Sequence, residues 1–415
     1  MRRALQFSGF MVLVGVVCTM VGAGCGSRQK PATSDPEPAP QPVVRTAKLL
    51  FIGDVMSHAP QVAAARTLDG YDYTETFRHF GPIFGQTDIA VANLETTLRT
   101  TPPYTGYPMF AAPAELAFGM RRAGIDIVTT ANNHILDRGA RGVRSTLAIL
   151  DSAGIRHTGA FLDSADRRAR NPLRFTAGGL NFALLAYTYG TNGIPVPKGV
   201  MVNLIDTAVI ASDLAAALAP DPTLAQKPDH VIVAYHWGEE YRVQPTRAQR
   251  ELAAWTRAHG ADLIIGGHPH VVEPMEAHLD ADSNVVGATY YSLGNFVSNQ
   301  RTRRTDGGIA ARITITRTDP PTSDSTGITP GAAHGMAHEA AHRTTHTDWD
   351  LGWSAGWVHI FERDGLRRYE VLPAAALDTL HSSGLDTLPA ARTFLSDTRA
   401  LLSADSLFRE VQIKQ

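Results

Sequence analysis

Cysteine is almost absent from this chain. Of 415 residues only Cys18 and Cys25 carry a thiol, so a domain that starts beyond them has no disulfide and must take its stability from a core. Charge of one sign is lacking too. Against 38 Lys and Arg stand 40 Asp and Glu, a formal net charge of −2. That balance supplies neither the basic face that binding to a nucleic-acid backbone requires nor an overall attraction to anionic lipid. Charged residues are 19% of the chain and hydrophobic ones 44%: too little charge for a disordered or coiled-coil protein, and enough apolar surface for a sizeable core. A globular protein without a nucleic-acid partner is expected.

The N-terminal segment reads as processing information. Arg2 and Arg3 precede an apolar stretch from Phe10 to Val21, followed by Gly22, Ala23, Gly24 and Cys25, the order of a secretory signal. The stretch falls short of the roughly 20 residues of a comfortable membrane span, which makes a retained transmembrane helix the weaker reading. The small residues before Cys25 resemble a bacterial lipoprotein signal spanning residues 1–25, in which Cys25 is lipidated and becomes the mature N-terminus. Gly22 stands where that pattern prefers Leu, and cleavage without a lipid is the alternative. Residues 26–45 are Pro-rich and read as an extended tether.

From residue 46 one arrangement recurs: a short apolar run of strand length ends in Gly, Asn, His or acidic residues, and a helical stretch follows. Lys48–Ile52 leads into Gly53-Asp54, Ile89–Ala92 into Asn93-Leu94-Glu95, and Ile125–Thr129 into Asn132-Asn133-His134. Later, Val231–Tyr235 leads into His236-Trp237-Gly238, Leu263–Ile265 into Gly266-Gly267-His268-Pro269-His270, and Thr289–Leu293 into Gly294-Asn295. Continuous apolar strands alternating with helical patterns, near 113–123, 141–153, 208–218 and 247–258, predict an α/β fold whose strand ends line a ligand crevice. Leu173–Ala177 and Leu180–Tyr187 read as a hairpin, so the sheet is mixed. The organisation expected is a domain over 46–318, a flexible His-rich insertion over 319–348, and a C-terminal hairpin and helix over 349–415 that complete the domain. In the insertion His334, His338, His342 and His346 recur every fourth residue. Small polar neighbours and the lack of acidic or cysteine partners favour a solvated strip over a metal site there.

The strongest local signal is the pair His268 and His270, two imidazoles one residue apart at a strand end, although loop histidines are often only solvated or bonded to backbone. Other strand ends supply partners: carboxylates at Asp54 and Glu95, an amide at Asn133, an imidazole at His236. A mixed oxygen and nitrogen set suits Mn, Fe or Zn rather than Ca or Mg. Two ions roughly 4 Å apart sharing a carboxylate would serve a hydrolytic displacement. His134 is then available as an acid or electrostatic contact for the leaving group, with Asp137 orienting its ring; a purely local hydrogen bond between the two is the other reading. Trp237, Glu240 and Tyr241 either shape a substrate pocket or, for the aromatics, are partly buried packing residues. Asn295 is a candidate substrate contact, against a plain role in a tight turn.

Taken in order, Gly53-Asp54-Val55-Met56, Asn93-Leu94-Glu95-Thr96, Ala131-Asn132-Asn133-His134-Ile135-Leu136-Asp137, His236-Trp237-Gly238-Glu239-Glu240-Tyr241, Gly267-His268-Pro269-His270 and Ser292-Leu293-Gly294-Asn295-Phe296 resemble the bacterial capsule synthesis proteins of the CapA/PgsA type. The resemblance covers roughly Leu49–Val297. That family is similar to the calcineurin-like metallophosphatases, which implies a four-layer sandwich of two mixed sheets flanked by helices. It also implies that Asp54 is the first metal carboxylate, that Glu95 replaces the usual bridging Asp, that Asn133 and His134 form the phosphatase Asn-His pair, and that His236, His268 and His270 are the remaining ligands of one or two divalent ions. One position departs from the pattern: Met56 stands two residues after the first carboxylate, where the phosphatases place a His, and nearby His58 has a different spacing.

The resemblance further implies a role at the cell envelope in poly-γ-glutamate synthesis, export or processing. Partners would be an anionic polymer or phosphoester substrate, membrane subunits of a capsule-synthesis complex, and the membrane itself through a lipid anchor at the cell or outer membrane, with a soluble periplasmic or extracellular domain. The alternative to a metal-dependent hydrolase is a non-catalytic subunit that guides the polymer or assists assembly.

Overall fold

Alternation along the first strand sets the architecture. In the computed structural model, which describes residues 41–220, 226–321, 345–382 and 388–411, Val43–Val55 is one strand of 13 residues. Its successive side chains point to opposite faces: Leu49 and Phe51 enter one apolar cluster, Leu50 and Ile52 another. The strand is therefore covered on both sides.

The larger sheet runs, in hydrogen-bonded order, Leu366–Pro373, His346–Arg363, Gly307–Asp319, Val43–Val55, Ile89–Leu94, Ile127–Thr129 and Arg156–Thr158; Asn295–Val297 also pairs with Val43–Val55, and Phe408–Glu410 with His346–Arg363. Val43–Val55 is parallel to Ile89–Leu94 and antiparallel to Gly307–Asp319. The second sheet runs Met275–Leu279, Val285–Tyr290, Leu263–Gly267, His230–His236, Leu180–Thr188 and Leu173–Ala177, with parallel centre and antiparallel edges.

Leu49, Phe51 and Val91 from the first sheet meet Leu184, Ile232 and Leu263 from the second in the central core. Outside the first sheet, Leu50 and Ile52 pack with Leu116, Met120, Val143 and Leu147 of the helices Glu115–Ala123 and Gly139–Ala153. Outside the second, Val231, Val233 and Ile264 pack with Ile210 and Leu214 of Thr207–Leu218 and Ala253 of Arg247–Ala258. The fold is thus helix, sheet, sheet, helix: the four-layer sandwich of two mixed sheets.

Several boundaries differ from those read along the sequence. The first strand begins at Val43, inside the stretch assigned to the tether, because ten residues pair continuously from Val43 opposite Asp319 to Ile52 opposite Ala310. Asp319 ends that ribbon, and the chain returns as His346–Arg363. His346 is on this strand, its Nε2 2.8 Å from Asp348 Oδ1; His334, His338, His342, Cys18 and Cys25 lie outside the described residues. The helix Ser164–Arg170 has no buried residue and so no apolar stripe to announce it; Asp163 starts it by accepting from the amides of Ala165 and Asp166. Among the described residues no helix is long and apolar enough to cross a membrane.

At Gly53 the first strand crosses the turn before Asn295–Val297 so closely that a Cβ would overlap the carbonyl oxygen of Gly294. That contact holds the strand end bearing Asp54 in place. Gly53→Ala is expected to destabilise the protein by about 3 kcal/mol, read as a lower midpoint in urea unfolding; an unchanged midpoint would show that the crossing is loose.

Candidate metal centre

The parallel register brings strand ends level. Asp54 pairs with both Asn93 and Asn295, Asn93 with Thr129, and His236 with Gly267, so residues far apart in sequence arrive at one end of both sheets. The two sheets join through Asp54, whose Oδ2 accepts the backbone amide of His268 at 3.3 Å. A Cβ on Gly267 would stand 2.8 Å from Asp54 Oδ1; only glycine admits that approach.

Two triads of donors result: Asp54, Glu95 and His270, and Glu95, His236 and His268, each with its ligand atoms within 4.8 Å of one another and every residue buried. Glu95 belongs to both. Neither of its carboxylate oxygens has a hydrogen-bond partner, and His268 Nδ1 has none either. Buried carboxylate oxygens left without donors cost several kcal/mol unless a cation meets them. The donor set therefore fits a divalent metal ion.

The supporting contacts aim these groups. Asn93 Nδ2 donates to Asp54 Oδ1 at 2.8 Å and lies 3.3 Å from His236 Nδ1. His270 Nδ1 is 3.1 Å from Asn295 Oδ1 and 3.4 Å from Asp54 Oδ2, while its Nε2 faces Glu95 at 3.9 Å. Asn133 Oδ1 is 2.9 Å from His236 Nε2, at the edge of the second triad. Both His268 and His270 hold left-handed backbone, φ 98° and 59°, a strained state for residues with a Cβ that functional loops retain.

Electrostatics follow from crowding without water. Burial, and then the charge of Asp54, push Glu95 well above the usual carboxylate range. Burial also opposes ionisation of Asp54, but the His270 hydrogen bond and the nearby imidazoles outweigh it and hold that carboxyl below its ordinary value. Burial works against His270 as a cation, yet Glu95 and Asp54 raise it to about 9. His236 is lowered to about 3 and His268 to about 2, in both cases first by burial. These two imidazoles stay neutral, the state a metal ligand needs.

Beside the triads, His134 Nδ1 lies 2.8 Å from Asp137 Oδ2, which also accepts the amide of Phe110 at 2.6 Å. Burial opposes a charge on His134, but the Asp137 hydrogen bond and Glu95 raise it above the ordinary histidine value. With Nδ1 committed, Nε2 is the nitrogen left for a substrate.

Two candidate substrate contacts are placed elsewhere. Trp237 is 2% exposed and stacks on Tyr235 at 4.6 Å, with Nε1 donating to the carbonyl of Tyr291 at 2.9 Å. It follows His236 on the chain and so faces the outer helices. Asn295 is fully buried behind His270 and donates to the Thr305 carbonyl at 2.8 Å; it supports a ligand rather than touching a substrate. Tyr241 does stand at the mouth, half exposed, its ring 6.1 Å from that of His270, and exposed Glu240 lies close enough to act on His270 electrostatically. Met56 is buried with its sulfur 3.9 Å from Ser298 Oγ. His58 turns to Gln61 Oε1 at 3.1 Å and the Asn299 amide at 3.3 Å, and belongs to neither triad.

Sequence reading passed over Asn93, Tyr189 and Asn192. Tyr189 packs on His268 with ring centroids 4.5 Å apart, and Asn192 accepts from Asn133 Nδ2 at 3.1 Å. The signal available was the strand Leu180–Thr188, which ends in polar residues as the other six strand ends do.

Behind the crevice Glu273 is buried with Oε2 accepting from Gln249 Nε2 at 2.7 Å and Oε1 unpartnered. Burial raises it from 4.5 to about 7. A folded-state value above the unfolded one contributes stability that is complete below about pH 4.5 and is lost as pH rises through 7. Glu273→Gln is expected to flatten that slope, at most about 1.4 kcal/mol per pH unit, making the variant the more stable protein at pH 8. Melting curves of both at equal metal loading check it; parallel pH profiles would refute it.

The family described as bacterial capsule synthesis protein PGA_cap matches residues 48–300 of this chain, more than half of it. Capsule biosynthesis protein CapA of Bacillus anthracis is 29% identical over 266 residues, 62% of this chain and 61% of that protein. PGA biosynthesis protein CapA of Bacillus subtilis is 28% identical over 260 residues, 61% of this chain and 64% of that protein. The chain thus spans about three fifths of the length of these relatives. Among solved structures, that of TT1561 of Thermus thermophilus superposes with a TM-score of 0.34 and 11% identity, covering 65% of this chain and 94% of that one. Since the family match runs from the first strand, through every strand end of the crevice, to just past Asn295–Val297, the chain belongs to the bacterial capsule synthesis protein family.

Proposed function

We propose that this protein acts at the cell envelope in capsule or poly-γ-glutamate biosynthesis, using its crevice as a metal-dependent hydrolase site for a phosphoester or γ-glutamyl amide bond. The observation that carries this reading is Glu95: a fully buried carboxylate, free of hydrogen bonds on both oxygens, shared by two triads and adjacent to the His134–Asp137 pair. Family membership and the relatives' names support the process.

Divalent ions of the Mn, Fe or Zn class, one in each triad, would supply Lewis-acid activation of water and substrate oxygen. The chain's own residues do the remainder. Asp137 fixes the His134 ring through Nδ1, which leaves Nε2 to deliver a proton to the leaving atom. Asn93 and Asn295 hold Asp54 and His270 in their orientations, and Tyr189 shields His268 from solvent. A second reading, a polymer-guiding or assembly subunit without turnover, draws on Met56, which leaves the Asp54 triad without the imidazole that metallophosphatases place there.

Elemental analysis and turnover on phosphodiester and γ-glutamyl substrates separate these readings. The wild-type chain is expected to hold up to two ions. Glu95→Ala should lose both, and His268→Ala only one. His134→Ala should keep its metal while turnover falls by about 10²–10⁴-fold. Full metal loading with no turnover on any substrate would favour the guiding role, and a metal-free wild type would remove both.

Export and lipid attachment at Cys25, with membrane subunits of the capsule machinery as partners, complete the proposal. They rest on Arg2, Arg3, the Phe10–Val21 stretch and the small residues before Cys25. Cys25→Ala should abolish palmitate labelling and shift the protein from the membrane to the soluble fraction; unchanged partitioning would sink the anchor.

A further inference from the structure

Arginines in this protein are mostly paired, which makes one cluster of unpaired cations stand out. On the helix Ser164–Arg170, Arg167 bonds Asp213, and Arg170 bonds Asp151 and Asp166. Arg138, just before the helix Gly139–Ala153, donates to Thr105 and to the carbonyl of Met109. By contrast Arg141, Arg144, Arg168 and Lys198 are all exposed, and among the described residues none of their side chains makes a hydrogen bond or an ion pair.

These four come from three elements that lie against one another. Arg141 and Arg144 are one turn apart on the exposed face of Gly139–Ala153. A Cβ on Gly199 would stand 2.7 Å from Arg144 Nη2, so the loop carrying Lys198 lies against that guanidinium. Arg168 and Arg144 both act electrostatically on Asp163, and that carboxylate is already committed to the amides of Ala165 and Asp166.

Two short covalent routes tie the cluster to the metal centre. The helix bearing Arg141 and Arg144 starts two residues after Asp137. The loop that carries Lys198 starts at Tyr189, packed on His268, and passes through Asn192, whose Nδ2 is 3.5 Å from His134 Nδ1. Lys198 is six positions beyond Asn192, a span of at most about 20 Å. Near His270, by contrast, the exposed charges are acidic: Glu240 acts on His270 and lies close to Tyr241, and Glu239 is bonded to Arg242.

We infer that Arg141, Arg144, Arg168 and Lys198 form a docking strip for a linear polycarboxylate, which holds the anionic chain beside His134 and feeds it toward the metal centre. The inference rests on the polymer reading proposed above and adds to it the side from which the polymer approaches. Unpaired cations spaced along an exposed face suit a flexible chain with one carboxylate per repeat, and their charge complements it without demanding a fixed pose.

Binding of fluorescently labelled poly-γ-glutamate to the full-length chain at low ionic strength tests the strip. Arg144→Ala with Lys198→Ala should raise the Kd about fivefold, an effect erased by high salt. Lys227→Ala with Arg257→Ala, which removes equal charge elsewhere, should leave it unchanged. Equal Kd values for the two double variants would overturn the strip. So would weakened binding of the first pair to phosphatidylglycerol vesicles with polymer binding intact, since the surface would then serve lipid headgroups. A wild-type chain that holds metal and turns over substrate but ignores the polymer would overturn the strip while leaving the crevice reading in place; loss of metal in the wild type would instead strike that reading.

Discussion

The structure depends on one expensive placement. Glu95 puts a carboxylate where neither oxygen finds a donor, next to Asp54, at the seam of two apolar sheets. An isolated charge in such surroundings is not tolerated without a counter-charge. Glu95 and Asp54 drive His270 toward its cationic form, whereas burial drives His236 and His268 toward neutrality. Neutral imidazoles of this kind are the nitrogen donors that a divalent ion takes.

Bringing these groups together is the work of the sandwich. Each sheet contributes strand ends in parallel register, and the interface between sheets is set by Leu49, Phe51, Leu184, Ile232 and their neighbours. Backbone proximity then completes the arrangement: the first strand touches Gly294, Gly267 lets Asp54 approach, and the His268 amide bonds Asp54 across the seam. The left-handed residues His268 and His270 are the local cost of turning two imidazoles inward from one short loop. Around this base Tyr241 and Glu240 stand near His270, and the loop from Asn192 through Lys198 leads to Arg144.

Much of this was legible along the chain. Strands ending in Asp, Glu, Asn and His marked the α/β fold and every member of the two triads, because hydrophobic runs and polar ends are local properties. The readings left open were decided where neighbours in sequence part company in space, and there the substrate role was lost. Trp237 follows His236 yet faces the opposite side of the sheet, and Asn295 sits at a motif's centre yet is sealed behind His270. The long ribbon joining Val43–Val55 to Gly307–Asp319 was also underestimated, since its outer half carries Arg, Lys and Thr rather than an apolar run.

What the sequence determined by itself was the set of donors and the kind of scaffold: the periodicity of apolar residues and the identity of each strand-end side chain are written in the order of residues. Only the tertiary structure decided which donors share an ion site, that Glu95 serves both triads, and that Tyr189, Asn192 and an unpaired cluster of Arg and Lys border them. Those relations arise between segments as far as 214 residues apart, where register, sheet packing and burial act together and no local pattern records the outcome.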